Sequence, residues 1–160
     1  MEILIRTIQP ADNKEIAVII RAALREFGAD KPGTAYYDEA TDHMHATFQV
    51  PRSQYYVALM DNELVGGGGI YPTAGLPPDT CELVKMYLAV PARGKGLGKS
   101  MIQKCLEYAK TAGYKHVYLE TMPELQRAMP VYEKFGFRYL DGPMGCTGHF
   151  GCPIWMLKDL

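Results

Sequence analysis

Residues 82–100 read Glu82-Leu83-Val84-Lys85-Met86-Tyr87-Leu88-Ala89-Val90-Pro91-Ala92-Arg93-Gly94-Lys95-Gly96-Leu97-Gly98-Lys99-Ser100. The first part continues an apolar run from Cys81 to Val90, which predicts a strand. Pro91 ends it, and three alternating glycines lead into a helix expected from Gly98 to about Ala112. Met101, Cys105, Ala109 and Ala112 recur at a spacing of four, with Ile102 and Leu106 beside them, so one face of that helix is core. Gly113 is its expected C-terminal cap. Glycine at 94, 96 and 98 lets backbone N–H groups turn toward one point with no side chain in the way. The helix N-terminus adds free donors and partial positive charge, and Arg93, Lys95 and Lys99 add full charges. Physically this is a cradle for a pyrophosphate.

Two better-known cradles fail on spacing. A P-loop needs four residues between its first glycine and Gly-Lys-Ser/Thr, whereas Gly94 stands only four positions before Gly98. The dinucleotide fingerprint G-x-G-x-x-G fits Gly94 and Gly96 but puts Lys99 at its third position, and no strand near the N-terminus leads into it. What remains is R-x-x-G-x-G, filled by Arg93, Gly96 and Gly98.

Outward from this stretch, Ile3 to Ile8 reads as a strand. Asp12 with Glu15 reads as a capping box for a helix to about Phe27, with Ile16, Ile19, Ile20, Ala23 and Leu24 on one face. Lys31 to Tyr37 reads as a loop, and Asp38 to about Val50 as a second helix. Gln54–Met60 and Glu63–Tyr71 form a predicted hairpin around Asp61-Asn62. Gly66 to Gly69 inside its second strand demand a bulge or a close approach by other groups. His116–Thr121 is a strand, a short helix ends near Phe135, and Phe137–Leu140 and Ile154–Leu157 are strands. A strand–helix–strand passage across 81–121 implies a parallel crossover, while the hairpin implies antiparallel pairing. The expected fold is therefore α/β with a mixed sheet, in one domain spanning 1–160.

Composition narrows the class. The chain has 160 residues, 48% hydrophobic and 22% charged, which are globular values. Its 17 basic and 18 acidic residues give a net charge of −1, so nothing pulls the whole molecule toward nucleic acid or an anionic membrane. The N-terminus lacks the apolar core of a signal peptide, and no run approaches a membrane span. Cytoplasmic location, with Cys81, Cys105, Cys146 and Cys152 as free thiols, is the expectation. Cys146, His149 and Cys152 are close soft ligands, but a structural zinc wants four, so no metal is expected there.

In order along the chain, Tyr87-Leu88 through Gly98, then Val117 to Thr121, then Ala128-Met129-Pro130-Val131-Tyr132-Glu133-Lys134-Phe135-Gly136-Phe137 resemble the GNAT superfamily of acyl-CoA N-acyltransferases. The likeness covers most of the chain and is strongest from Glu82 to Tyr139. It implies a central mixed sheet of six to seven strands flanked by helices, whose fourth and fifth strands splay apart to admit the pantetheine arm of acetyl-CoA. By that resemblance, Met86, Tyr87 and Leu88 offer their backbone to the arm, with a main-chain N–H near Leu88 polarising the thioester carbonyl. Arg93, Gly94, Lys95, Gly96, Leu97, Gly98 and Lys99 would hold the pyrophosphate.

The resemblance also implies the chemistry. Tyr132 matches the tyrosine that sits near the sulfur and acts as general acid. Glu82, eleven residues before Arg93, stands where some members carry a base that works through water. On an alternating strand it shares a face with Val84 and Met86, barring a bulge. Two departures weaken contacts from the short helix: Leu125 replaces an asparagine that many members use to touch CoA, and Pro130 delays or kinks the helix. Tyr36, Tyr37 and His149 lie in segments that shape the acceptor pocket. The expected activity is N-acetyl transfer to the primary amine of a small metabolite by direct transfer in a ternary complex. The alternatives are a protein N-acetyltransferase and a catalytically silent acetyl-CoA sensor. Family members are often dimers, so a homodimer is an expectation from the resemblance.

Overall fold

The computed structural model describes residues 1–125 and 127–160. In chain order the elements are β1 (Ile3–Thr7), α1 (Asn13–Glu26), α2 (Met44–Thr47), β2 (Gln54–Met60), β3 (Glu63–Tyr71), β4 (Thr80–Leu88), α3 (Leu97–Thr111), β5 (His116–Thr121), α4 (Met129–Lys134), β6 (Arg138–Tyr139) and β7 (Ile154–Asp159). The strands make one seven-stranded sheet in the order β1-β2-β3-β4-β5-β7-β6. Strands β4 and β5 pair in parallel, joined by the α3 crossover; the other neighbouring pairs are antiparallel. The mixed α/β sheet is thus as expected.

Each face of the sheet carries its own core, because successive strand residues point to opposite sides. On one face, Met101, Ile102 and Cys105 of α3 pack with Ala58, Ile70, Leu83, Val117 and Tyr132. On the other, Ile16, Ile20 and Leu24 of α1 pack with Met44, Phe48, Tyr55 and Val57. Among the described residues no helix is long and apolar enough to cross a membrane.

Two local expectations need correction. Asp12 does not box with Glu15. Its carboxylate accepts from the Gln9 N–H at 2.8 Å and from both terminal nitrogens of Arg6, at 2.8 and 3.1 Å, so it ties β1 to the start of α1. The helix expected over 38–50 is broken into a 3-10 turn, Glu39–Asp42, and the single turn α2, and a further 3-10 turn, Ala35–Tyr37, precedes them in the segment read as a loop. Side chains compete there with helical bonding: the Thr34 hydroxyl donates to the carbonyls of Ala29 and Lys31, and that of Thr41 to Ala35. The delay expected from Pro130 is seen: α4 begins only at Met129, with Pro130 in its first turn, where a missing N–H is tolerated.

The glycine run answers both readings offered for it. The β3–β4 register slips between Gly67 and Gly69. The run is also closely approached: a methyl on Gly67 would sit 2.6 Å from the Tyr55 ring, and one on Gly68 would run into Met86 Cε. Protein side chains fill the space above these glycines. At Gly66 the obstacle is backbone, since an added Cβ would lie 2.6 Å from the Tyr87 carbonyl oxygen and 2.5 Å from Leu88 Cδ2. Gly66→Ala is therefore expected to lose about 1–3 kcal/mol of stability, the usual cost of overpacking, because β4 must move away from β3. A urea midpoint lowered at unchanged slope would show it; an unchanged midpoint would mean β4 yields freely.

Candidate active site

The site begins where β4 and β5 separate. They pair only through Thr80↔His116, Cys81↔Val117 and Glu82↔Tyr118. Beyond Glu82, β4 continues for six residues with its β5-facing edge unpaired. Lys85 marks the departure. Its φ of 50° is unusual for a residue with a side chain. It inserts a bulge opposite the slip at Gly67/Gly69. The bulge changes the facing of everything after it. Glu82 and Val84 point toward the α1 side, but Met86 and Leu88 pack with the α3 core, so Met86 does not share a face with Glu82.

The parting opens a cavity of about 450 Å³, in the range of small-molecule sites. Its walls come from both faces: Ala23 of α1 and Phe27 just after it, Leu83 and Lys85 to Leu88 of β4, Ile102 of α3, Leu119 to Thr121 of β5, and Val131 and Tyr132 of α4. Of the residues expected to hold the cofactor, Met86, Tyr87, Leu88, Arg93, Gly94, Gly96, Leu97, Gly98 and Lys99 line it. Lys95 is exposed and lies outside the lining.

At one end of the cavity sits the glycine loop. Gly94 and Gly96 have φ of 74° and 77°, the left-handed region that favours glycine. A methyl on either would meet nothing within 4 Å. Gly96 caps α3 without a side-chain hydrogen bond, which leaves the first-turn N–H groups available to an anion. Open space over uncapped donors is what a pyrophosphate requires. Leu97 contributes backbone only, because its side chain is core. Arg93 departs from a simple phosphate contact. Its Nε and Nη2 donate to the Leu88 carbonyl at 3.1 and 3.0 Å, its Nη1 pairs with Glu26, and its guanidinium lies over the Phe27 ring. The side chain pins the end of β4 against α1.

Tyr132 closes the inner wall. Its ring packs edge-on against Phe137 with centroids 5.8 Å apart, and among the described residues no protein group hydrogen-bonds to its hydroxyl. Burial pushes its ionisation up to about 12, so at neutral pH the phenol holds its proton.

Glu82 lies at the crotch of the splay, 4% exposed. The Thr73 hydroxyl donates to its Oε1 at 2.6 Å. Burial, assisted by the charge of Glu120, raises it to about 7, against the lowering effects of Thr73, His149 and Lys85. A carboxyl that titrates near neutrality suits a general base.

The structure gathers around Glu82 the His149 singled out in the sequence, together with Glu120, Asp38 and Lys85, which patterning did not single out. Ligating atoms of Glu82, Glu120 and His149 lie within 4.8 Å of one another. His149 Nε2 is 2.6 Å from Asp38 Oδ2, and Lys85 Nζ reaches the same oxygen at 2.8 Å. Asp38 reads as the start of a helix that the structure replaces with short turns, and Glu120 reads as an ordinary polar strand position. Lys85 did carry a signal, being a lone cation in an apolar strand. Tyr36 and Tyr37 are not brought here. The Tyr36 hydroxyl accepts from Arg25 Nη2 at 2.7 Å and its carbonyl from Arg21, on the outer side of α1, and Tyr37 is exposed beside it. Nor do Cys146 and Cys152 join His149 in a ligand set among the described residues; Cys152 is buried and Cys146 is exposed.

Comparison with known proteins agrees with this geometry. The sequence profile of the acetyltransferase (GNAT) family matches residues 18–137. The chain is 41% identical over 157 residues to the uncharacterized N-acetyltransferase YjgM of Escherichia coli strain K12, covering 97% of this chain and 93% of that protein. In fold it is similar to a GNAT-family acetyltransferase from Staphylococcus aureus Mu50, with a TM-score of 0.87, 19% identity and 99% of each chain covered. It is also similar to the PaiA N-acetyltransferase of Thermoplasma acidophilum in complex with coenzyme A, with a TM-score of 0.76, 18% identity and 100% of each chain covered. With splayed strands, an open glycine cradle and a profile match over most of its length, the chain belongs to the GNAT family of N-acetyltransferases.

Proposed function

We propose that this protein moves the acetyl group of acetyl-CoA to the primary amine of a small metabolite, by direct transfer in a ternary complex. The observation that carries the reading is the cavity through the parting of β4 and β5, with the glycine cradle at one end and the Tyr132 hydroxyl on its inner wall. The CoA complex of the PaiA neighbour supports the choice of cofactor. Met86, Tyr87 and Leu88 would hold the acyl arm along the unpaired edge of β4. Gly94, Gly96, Gly98 and the α3 N-terminus would hold the pyrophosphate, with Lys99 supplying charge. A sheet that runs from Ile3 to Asp159 supports treating the whole chain as one catalytic domain.

In the reaction a C–N bond forms and the C–S bond breaks. Glu82 takes the proton released by the amine, through a water, and Tyr132 gives its proton to the departing sulfur. The test is thiol release from acetyl-CoA with a panel of primary amines, run beside thermal melting with acetyl-CoA and with ATP. The expected result is amine-dependent release and stabilisation by acetyl-CoA alone. Release with peptide amines only would move the acceptor to proteins, and stabilisation without release from any amine would favour the sensor. Neither release nor stabilisation would overturn the assignment.

A further inference from the structure

The proposed base is surrounded by a bonded chain that the reaction scheme above does not use. It starts on β5. Glu120 has both carboxylate oxygens occupied, Oε2 by the Tyr118 hydroxyl at 2.6 Å and Oε1 by the Thr147 hydroxyl at 2.5 Å. The Tyr118 oxygen accepts in turn from the Met144 N–H, and the Thr147 oxygen from the His149 N–H at 3.1 Å. These bonds lash the segment between β6 and β7 onto β5 and set where His149 stands. From the other side, Asp38 takes His149 Nε2 and Lys85 Nζ on one oxygen. Lys85 reaches it from the β4 bulge, with its side chain only 7% exposed.

Glu120 therefore differs from Glu82, although they are neighbours. Its oxygens are used in anchoring the segment, whereas Glu82 has one bonded oxygen and, among the described residues, one without a protein donor. We propose that Asp38 and His149 form a positioning dyad for Glu82, in which the segment between β6 and β7 delivers an imidazolium held by Asp38 against the carboxylate of the base. This rests on the reading of Glu82 as base. Neither residue of the dyad lines the cavity between β4 and β5; the dyad acts through Glu82.

Electrostatics agree with the geometry. Burial lowers the imidazole's proton affinity, but the hydrogen bond and charge of Asp38 outweigh it and hold His149 above its ordinary value. Burial works against the Asp38 carboxylate as well, and His149 with Lys85 overcomes it, bringing it down to about 2. The charged groups facing Glu82 are Glu120 from β5, Lys85 from β4 and His149 from the terminal segment, with Asp38 behind the last two. Of these, His149 is the one that Asp38 favours in its protonated form.

The test is an NMR titration of the Glu82 side-chain carboxyl in the full chain, for wild type, His149→Gln and Asp38→Asn. Loss of the facing cation is expected to move the midpoint upward by about one pH unit in both variants, the scale of a neighbouring charge at this range. Coupling is reciprocal, so Glu82→Gln should lower the midpoint of the His149 imidazole; this arm needs no change to the dyad should His149→Gln fail to fold. The acid limb of kcat/KM, measured with one amine throughout, should move with the carboxyl. Midpoints that stay independent of one another would overturn the dyad, even if the variants lost rate through packing. Full turnover by Glu82→Gln would overturn the base itself, so the two failures are distinguishable.

Discussion

Glu82→Gln should abolish most turnover while making the protein more stable at alkaline pH. The amide keeps the shape of the carboxyl and can accept from Thr73, but it takes no proton. Loss of a general base typically costs about 10²–10⁴-fold in rate, and partial recovery is expected at high pH, where amines shed their own protons. The stability effect has the opposite sign. The folded-state value of about 7 lies above the ordinary 4.5, so the folded chain retains a proton that the unfolded chain releases between those values. Stability from this group is fully present below 4.5, declines across the window, and is lost above 7. Gln carries no such penalty. Melting temperatures of variant and wild type should therefore coincide near about pH 4.5 and separate by about pH 8, with the variant higher. A variant that keeps its rate, or melts lower at alkaline pH, would remove Glu82 from the role of buried base.

Tyr132→Phe should lose rate with little loss of stability. The substitution preserves the ring against Phe137 and removes a hydroxyl that has no protein partner among the described residues, so no buried group is orphaned. A phenol near 12 would be a poor acid toward a thiolate in water, whose ordinary value is about 8.5. In this interior the comparison changes. A thiolate leaving against the apolar wall of the cavity loses solvation, which raises its proton affinity and narrows the gap to the phenol. Removal of the acid is expected to lower kcat by about 10²-fold or more, with the melting temperature close to wild type. Equal rates would show that the sulfur leaves without this proton. A large drop in melting temperature would show that the hydroxyl is structural.

Local patterning made most of this architecture legible. The apolar run ending at Pro91, the alternating glycines and the spacing-of-four face on 101–112 gave strand, cradle and helix before any contact was known, because each depends on neighbours within a turn or two. The order Glu82, glycine loop, Tyr132 was equally readable, since the resemblance rests on short contiguous segments. The segment from Asp38 to Val50 was not. Its turn pattern depends on Thr34 and Thr41 reaching carbonyls several residues away and on Asn13 meeting the His45 N–H.

The surroundings of Glu82 lay beyond sequence reading for the same reason, on a larger scale. Period-two alternation put Met86 on the face of Glu82; the bulge at Lys85, set by pairing with glycines of the preceding strand, turned it away. Arg93 had the composition of a phosphate ligand, but folding gave its guanidinium the Leu88 carbonyl and Glu26. Asp38 and His149 are 111 residues apart and meet at 2.6 Å. Spacing along a chain records which groups share a helix or a strand face, and it carries no term for groups that meet only when loops close over a sheet. The proposed catalytic outline is thus written in local order, while the charge that surrounds the proposed base is a property of the closed molecule.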